Sequence, residues 1–212
     1  MRLTYTPDPP PFSDPAELAI VDRIKTRRAP RDLTPLDRTL LISPPVADGW
    51  NSFLGAVRTR TNLSNSIREA AICRVAALNR AWFEWEHHAH LLRADEIASD
   101  TFLQAIFSAA PGTWKAGADD VPDAKHALVL EYTDAVTLTV EVPSELFARV
   151  KGEFEEREIA ELTATIGAYN CVSRFLVALD VGERVGEEGM NKALEHVGGV
   201  PVGTKPAPRS YA

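Results

Sequence analysis

The stretch SIREAAICRVAALNRA, residues 66–81, decides the class of fold. Ile67, Ala71, Val75 and Leu78 recur at helical spacing along one stripe, and Ile72, Cys73 and Ala76 form a second stripe beside it. A helix that is apolar on nearly every face is buried on nearly every face. It needs other elements packed around it, so the flanking sequence must supply them. Ser66, with Glu69 three residues later, reads as an N-cap serine with its capping-box acid. Glu69 also falls on the second apolar stripe.

The sequence on both sides reads as more helix. WFEWEHHAHLL (82–92) continues the first helix or follows a short break near Asn79, and a further helix is expected over about 95–107. SAAPGTWKAGADDVPD (108–123) is a loop, and helices follow over 124–138, 143–152 and 156–178. VTLTVEV (136–142) is the one β-like run, and it equally suits a helix end with an extended linker. Before residue 66 lie a proline-rich extended arm (1–15), a helix over 17–28 and a connector (29–45) with a short helix at 35–42. A helix over 46–60 then places Val46, Trp50, Phe53, Leu54 and Val57 on one stripe. After residue 180 the glycines suggest a flexible end. The expectation is an all-α chain with one helical domain (46–180), an N-terminal arm (1–45) and a Gly/Pro-rich tail (181–212).

Composition narrows the function. The 212 residues are 45% apolar and 25% charged, an ordinary folded composition, and the net charge of −7 argues against a nucleic-acid partner. The two cysteines, Cys73 and Cys171, form no CxxC, which argues against a disulfide scaffold, a dithiol redox centre and a cysteine zinc site. No targeting signal stands out at the polar start of the chain. The least charged run, 162–178, carries Thr163, Thr165, Asn170, Ser173 and Arg174, which are costly in lipid, so it reads as a buried helix and not as a membrane span. An intracellular, cytoplasmic protein is expected.

The chemistry concentrates in Trp82-Phe83-Glu84-Trp85-Glu86-His87-His88-Ala89-His90. On a helix Glu84 and His88 are i and i+4 and can pair, and Glu86 and His90 repeat that spacing. A carboxylate beside an imidazole orients the ring and favours its charged form, which makes a usable acid or base near neutral pH. Glu84-x-x-His87 also has a di-iron spacing, but the chain holds no second ExxH, and His126 and His196 read as isolated surface residues, so no metal is expected. Candidate pocket residues are Trp50, Trp85, His87, Tyr169, Asn170 and Arg174, with Thr163 and Ser173 as further polar groups on the late apolar helix. Arg174, the sole charge between 162 and 178, suits a substrate carboxylate or a structural ion pair equally. Cys73 and Cys171 read as small core residues.

Two stretches, REAAICRVAALNRAWFEWEHHAHLLRADEI (68–97) and ELTATIGAYNCVSRFLVALDV (161–181), resemble the carboxymuconolactone decarboxylase family, which includes the alkylhydroperoxidase D-like proteins. The resemblance spans about 50–180. The peroxidase branch carries a glutamate, a CxxC starting twelve residues later, and a histidine four residues after the second cysteine. Glu69 and His88 match the outer positions. Ala81 and Glu84 stand where the thiols would be, and neither can reduce a peroxide. The resemblance therefore implies an alkylhydroperoxidase D-like helical bundle, a homo-oligomer (dimer, trimer or hexamer) and cofactor-free acid/base chemistry on a small carboxylated or lactone substrate. Decarboxylation is the leading reaction, with a lyase or isomerase step beside it. His88 would move the proton, Glu84 would orient it, and Glu69 would complete a relay. Two other readings stand beside this one: a peroxidase-like protein using Cys73, and a non-catalytic oligomeric module that binds a small molecule.

Overall fold

The computed structural model describes residues 1–115 and 120–210. Among these residues every regular element is helical, and the chain forms two compact units. The first comprises residues 1–60 with 179–183, and the second 61–178 with 184–212. Helix 44–59, assigned from sequence to the helical domain, belongs to the first unit.

In the first unit, α1 (Pro15–Arg28) starts where the Asp14 side chain accepts from the Ala16 amide, with proline in the first turn. A full capping box of Thr34 and Asp37 opens α2 (Pro35–Leu40). The Asp37 carboxylate is buried and also receives Arg28 Nε at 2.8 Å. α3 (Pro44–Thr59) packs on α1. The N-terminal arm is extended as expected and is tied down: the Arg2 amide donates to the Leu179 carbonyl at 2.8 Å, and Tyr5 Oη donates to Glu183 at 3.0 Å.

The second unit is built around α4 (Asn65–Asn79), whose entire middle is buried. It packs on α5 (Trp82–Arg93), α6 (Asp100–Ser108) and α7 (Ala124–Leu138). Ser64, and not Ser66, caps α4, accepting from the Ile67 amide. The helix thus begins earlier than expected, and Glu69 is no capping acid but an interior residue 2% exposed. Arg80, in the left-handed region at φ 56°, makes the break between α4 and α5. α6 starts at Asp100 and not near 95, because Ser99 caps it through the Phe102 amide. Residues 136–142 form no strand: α7 runs to Leu138, and Val140 turns outward at φ 66°. α8 (Ser144–Glu153) and α9 (Glu156–Leu179) follow. Among the described residues α9 is the one helix long and apolar enough to cross a membrane, and 44% of its apolar window is buried within the protein.

Arg74 and Asp134 are both fully buried in this unit. Arg74 Nε donates to Asp134 at 2.6 Å, and Arg74 Nη1 donates to the carbonyls of Ile106 and Ala109. Asp134 also accepts from the Gly112 amide and from Trp114 Nε1, and the guanidinium lies over the Trp114 ring. The pair pins the start of the 109–115 loop to the core.

The expected flexible tail instead contains α10 (Gly186–Val197), which packs on α5. Met190, Ala193, Leu194 and Val197 join the core with Trp82, Trp85 and Phe107. Glycine reads as flexibility in sequence, but here one glycine allows close packing: a Cβ on Gly189 would sit 2.2 Å from the Arg184 carbonyl. Leu194→Ala is therefore expected to cost about 2–5 kcal/mol in urea unfolding, and a value near zero would show that α10 contributes nothing to the core.

Candidate functional site

Three helices of the second unit each present an i, i+4 pair to the same place. α4 supplies Glu69 and Cys73, α5 supplies Glu84 and His88, and α9 supplies Tyr169 and Ser173. Residues four apart share a helix face, so each helix needs only one face to contribute two groups. None of the six is more than 6% exposed.

The contacts are specific. His88 Nδ1 lies 2.7 Å from Glu69 Oε2. The His88 ring stands edge-on to Tyr169, with centroids 4.8 Å apart at 82°. One turn away, Ser173 Oγ donates to both oxygens of Glu84, at 3.0 and 3.1 Å. The residue that orients His88 through Nδ1 is thus Glu69, where the sequence suggested Glu84. The reason lies in the packing: α4 runs against α5 and sends Glu69 across to the ring, while the first turn of α5 meets the Ser173 hydroxyl of α9. An ionised carboxylate accepts only, so an ionised Glu69 leaves the proton on Nδ1 and makes Nε2 the nitrogen that addresses a reactant.

Burial shapes the electrostatics. It pushes the Glu84 carboxyl well above the usual carboxylate range, against the smaller opposing effects of the Ser173 hydrogen bond and the Arg174 charge. It also pushes the Cys73 thiol well up, and the charges of Glu69 and Glu84 push it further. A reactive thiol needs the opposite environment.

The raised Glu84 carboxyl has a consequence for stability. Below the unfolded value near 4.5 both states hold the proton and the stability it carries is complete. As pH rises from there through the higher folded value, the unfolded chain ionises first and stability is lost. Glu84→Gln removes this loss. Urea midpoints at pH 5 and pH 8 should show the variant gaining on the wild type as pH rises, and a gap independent of pH would contradict the burial argument.

The other sequence candidates are placed as follows. Tyr169 joins the site. Asn170 is half-buried, donating to Thr137 Oγ1 and accepting from Asn79 Nδ2, both at 3.0 Å. Arg174 is exposed, and its Nη1 donates to the carbonyl and the side-chain oxygen of Asn170, so its contacts are not a structural ion pair. Trp85, expected as a pocket wall, is fully buried core set edge-on to Phe107 at 5.0 Å. His87 is half-buried, stacked on Phe83 at 4.2 Å with Nδ1 on the Phe83 carbonyl. Trp50 is half-buried on α3 of the first unit. Glu86 pairs with Arg184 at 2.8 Å and not with His90, whose ring nitrogen instead bonds the Glu86 carbonyl.

Two further expectations change. Cys73 is core as read, but Cys171 is exposed, because it falls on the outer face of α9. His126 is buried on α7, held by Asp123 at 2.9 Å and edge-on to Phe102, whereas His196 is exposed. The Asp134 network was not anticipated, although Arg74 on an otherwise apolar helix signalled that a buried partner must exist. Among the described residues no group of three or more His, Cys, Asp or Glu side chains could hold a metal ion.

A scan against protein-family models and searches of curated proteins and of solved structures found no match.

Proposed function

We propose that the chain is a cofactor-free acid/base enzyme acting on a small carboxylated or lactone substrate, with decarboxylation as the leading reaction. The observation that carries this reading is the buried Glu69–His88 pair, 2.7 Å between carboxylate oxygen and Nδ1, with Tyr169 against the ring. Loss of CO₂ leaves an electron pair on carbon that must be protonated, and a histidine oriented by a carboxylate is suited to that step. The spacing of Glu69 and His88 resembles that of the peroxidase branch of the carboxymuconolactone decarboxylase family, and with both thiol positions replaced by Ala81 and Glu84 the proton-handling pair is what remains, which supports acid/base chemistry.

The peroxidase reading through Cys73 has the electrostatics against it, since the thiol is fully buried and its pKa is raised. The homo-oligomer belongs to the same proposal. Val46 and Phe53, seven residues apart on α3 and both half exposed, are apolar side chains that such an assembly would cover.

The direct experiment is to follow CO₂ release from a carboxylated muconolactone, with hydrogen peroxide consumption measured in parallel. Release of CO₂ that survives thiol alkylation supports the reading. Peroxide reduction that alkylation abolishes, without CO₂ release, overturns it.

A further inference from the structure

The site holds two carboxyl groups in different settings. Glu69 has the imidazole of His88 at one oxygen, and its other oxygen accepts from Arg68 Nε at 3.3 Å. Glu84 has one neutral hydroxyl, Ser173 Oγ, spanning both of its oxygens. Ser173 of α9 bonds Glu84, the exposed Arg174 guanidinium adds its charge from the same helix, and the buried Cys73 thiol of α4 lies within reach of the charges of both carboxyls. An ionised carboxylate buried with a single neutral donor, its one cationic influence the exposed Arg174, is poorly compensated. The protonated form suits the same position: its carbonyl oxygen accepts from Ser173, and its O–H can be donated. Two carboxyls whose surroundings drive them apart in this way commonly divide the acid and base roles of a site.

We infer that Glu84, presented by Ser173, is held as a neutral carboxylic acid and donates a hydrogen bond to the substrate oxygen on which negative charge gathers. This rests on the acid/base reading above and adds to it the residue that stabilises the intermediate. Glu84 and His88 stand one turn apart on one face of α5, about 5–6 Å between Cβ atoms on a regular helix. A carbonyl oxygen at the acid and a neighbouring carbon at the imidazole fit that separation. The substrate class follows: a small acid whose carboxyl-bearing carbon is adjacent to, or conjugated with, a carbonyl. The electron pair of the breaking C–CO₂ bond moves into that carbonyl as CO₂ leaves, and the resulting enolate oxygen takes the Glu84 hydrogen bond. The pair then returns to form a C–H bond with the proton delivered from Nε2 of the His88 imidazolium, which takes a proton from water afterwards. Ser173 acts through Glu84 and is a positioning residue.

Infrared difference spectroscopy of the ligand-free protein at neutral pH tests the protonation state without any substrate. The wild type should show a protonated-carboxyl C=O stretch that Glu84→Gln lacks. Ser173→Ala, which removes only a hydroxyl, should move that band to higher frequency, as expected when the carbonyl loses its donor. Loss or shift of a carboxylate band in either variant, in place of the carboxyl band, overturns the inference. Turnover of the carboxylated muconolactone tests the donor role. Glu84→Leu should reduce kcat by about 10²–10³-fold, and Glu84→Gln, whose amide still donates, by less. Wild-type turnover in Glu84→Leu, with His88→Gln inactive, sinks the donor role and leaves the acid/base reading standing. Absence of turnover in the wild type removes the donor role together with that reading, while the infrared band still decides the state of Glu84.

Discussion

If the proposed acid/base function holds, His88→Gln is expected to lower kcat on a carboxylated substrate by about 10²–10⁴-fold, roughly 3–5 kcal/mol of transition-state stabilisation. Glutamine fills similar space and can still bond Glu69, so the fold is expected to survive. What it cannot do is carry a proton through Nε2. Glu69→Gln should fall in the same direction by a smaller factor, because the ring remains but loses the carboxylate that orients it at 2.7 Å and favours its charged form. Single-turnover kinetics, with circular dichroism to confirm folding, is the measurement. If folded His88→Gln turns over at the wild-type rate, His88 does not transfer the proton.

Arg74→Met costs about 3–5 kcal/mol of stability, because it strands Asp134 in the core without its cation. For a chain of this size that is a fall in Tm on the order of 10 °C. The pair's bonds run to Ile106, Ala109, Gly112 and Trp114 and to none of the candidate site residues, so the expected loss is one of stability. Asp134 would keep the Gly112 amide and Trp114 Nε1, which do not neutralise its charge. The carbonyls of Ile106 and Ala109 would lose their donor, so amide exchange should quicken first around 109–115. The double variant Arg74→Met with Asp134→Leu should recover much of the loss, since neither charge then remains buried. A single variant as stable as the wild type would show that water reaches the pair.

Much of the helical layout was legible because apolar residues at helical spacing report burial directly. The 124–138 and 156–178 helices follow from periodicity and turn residues, while the break near Asn79, left open against one continuous helix, was decided by the structure. α10 was not legible, since its glycines carry the same local signal whether they loosen a chain or admit close packing, and only Arg184 beside Gly189 separates the two. The site was legible as a list of groups. Glu84 and His88 stand out as titratable residues among aromatic neighbours, Glu69 through a spacing that resembles the family's, and Tyr169 as a polar group on a buried helix.

Their pairing was decided elsewhere. Helical spacing shows which residues share a face of one helix, so it suggested Glu84 with His88 and Glu86 with His90. Which helix a face meets depends on packing across tens of residues. That packing gave His88 to Glu69, nineteen positions away, Glu84 to Ser173, eighty-nine positions away, and Arg74 to Asp134, sixty away. By itself the sequence determined an all-helical chain and offered a histidine, two carboxyls and no thiol pair as its candidate site. Only the tertiary structure decided which carboxyl holds the histidine and which is left with a hydroxyl, because burial and contact between distant segments, not local spacing, set the energy of a buried charge.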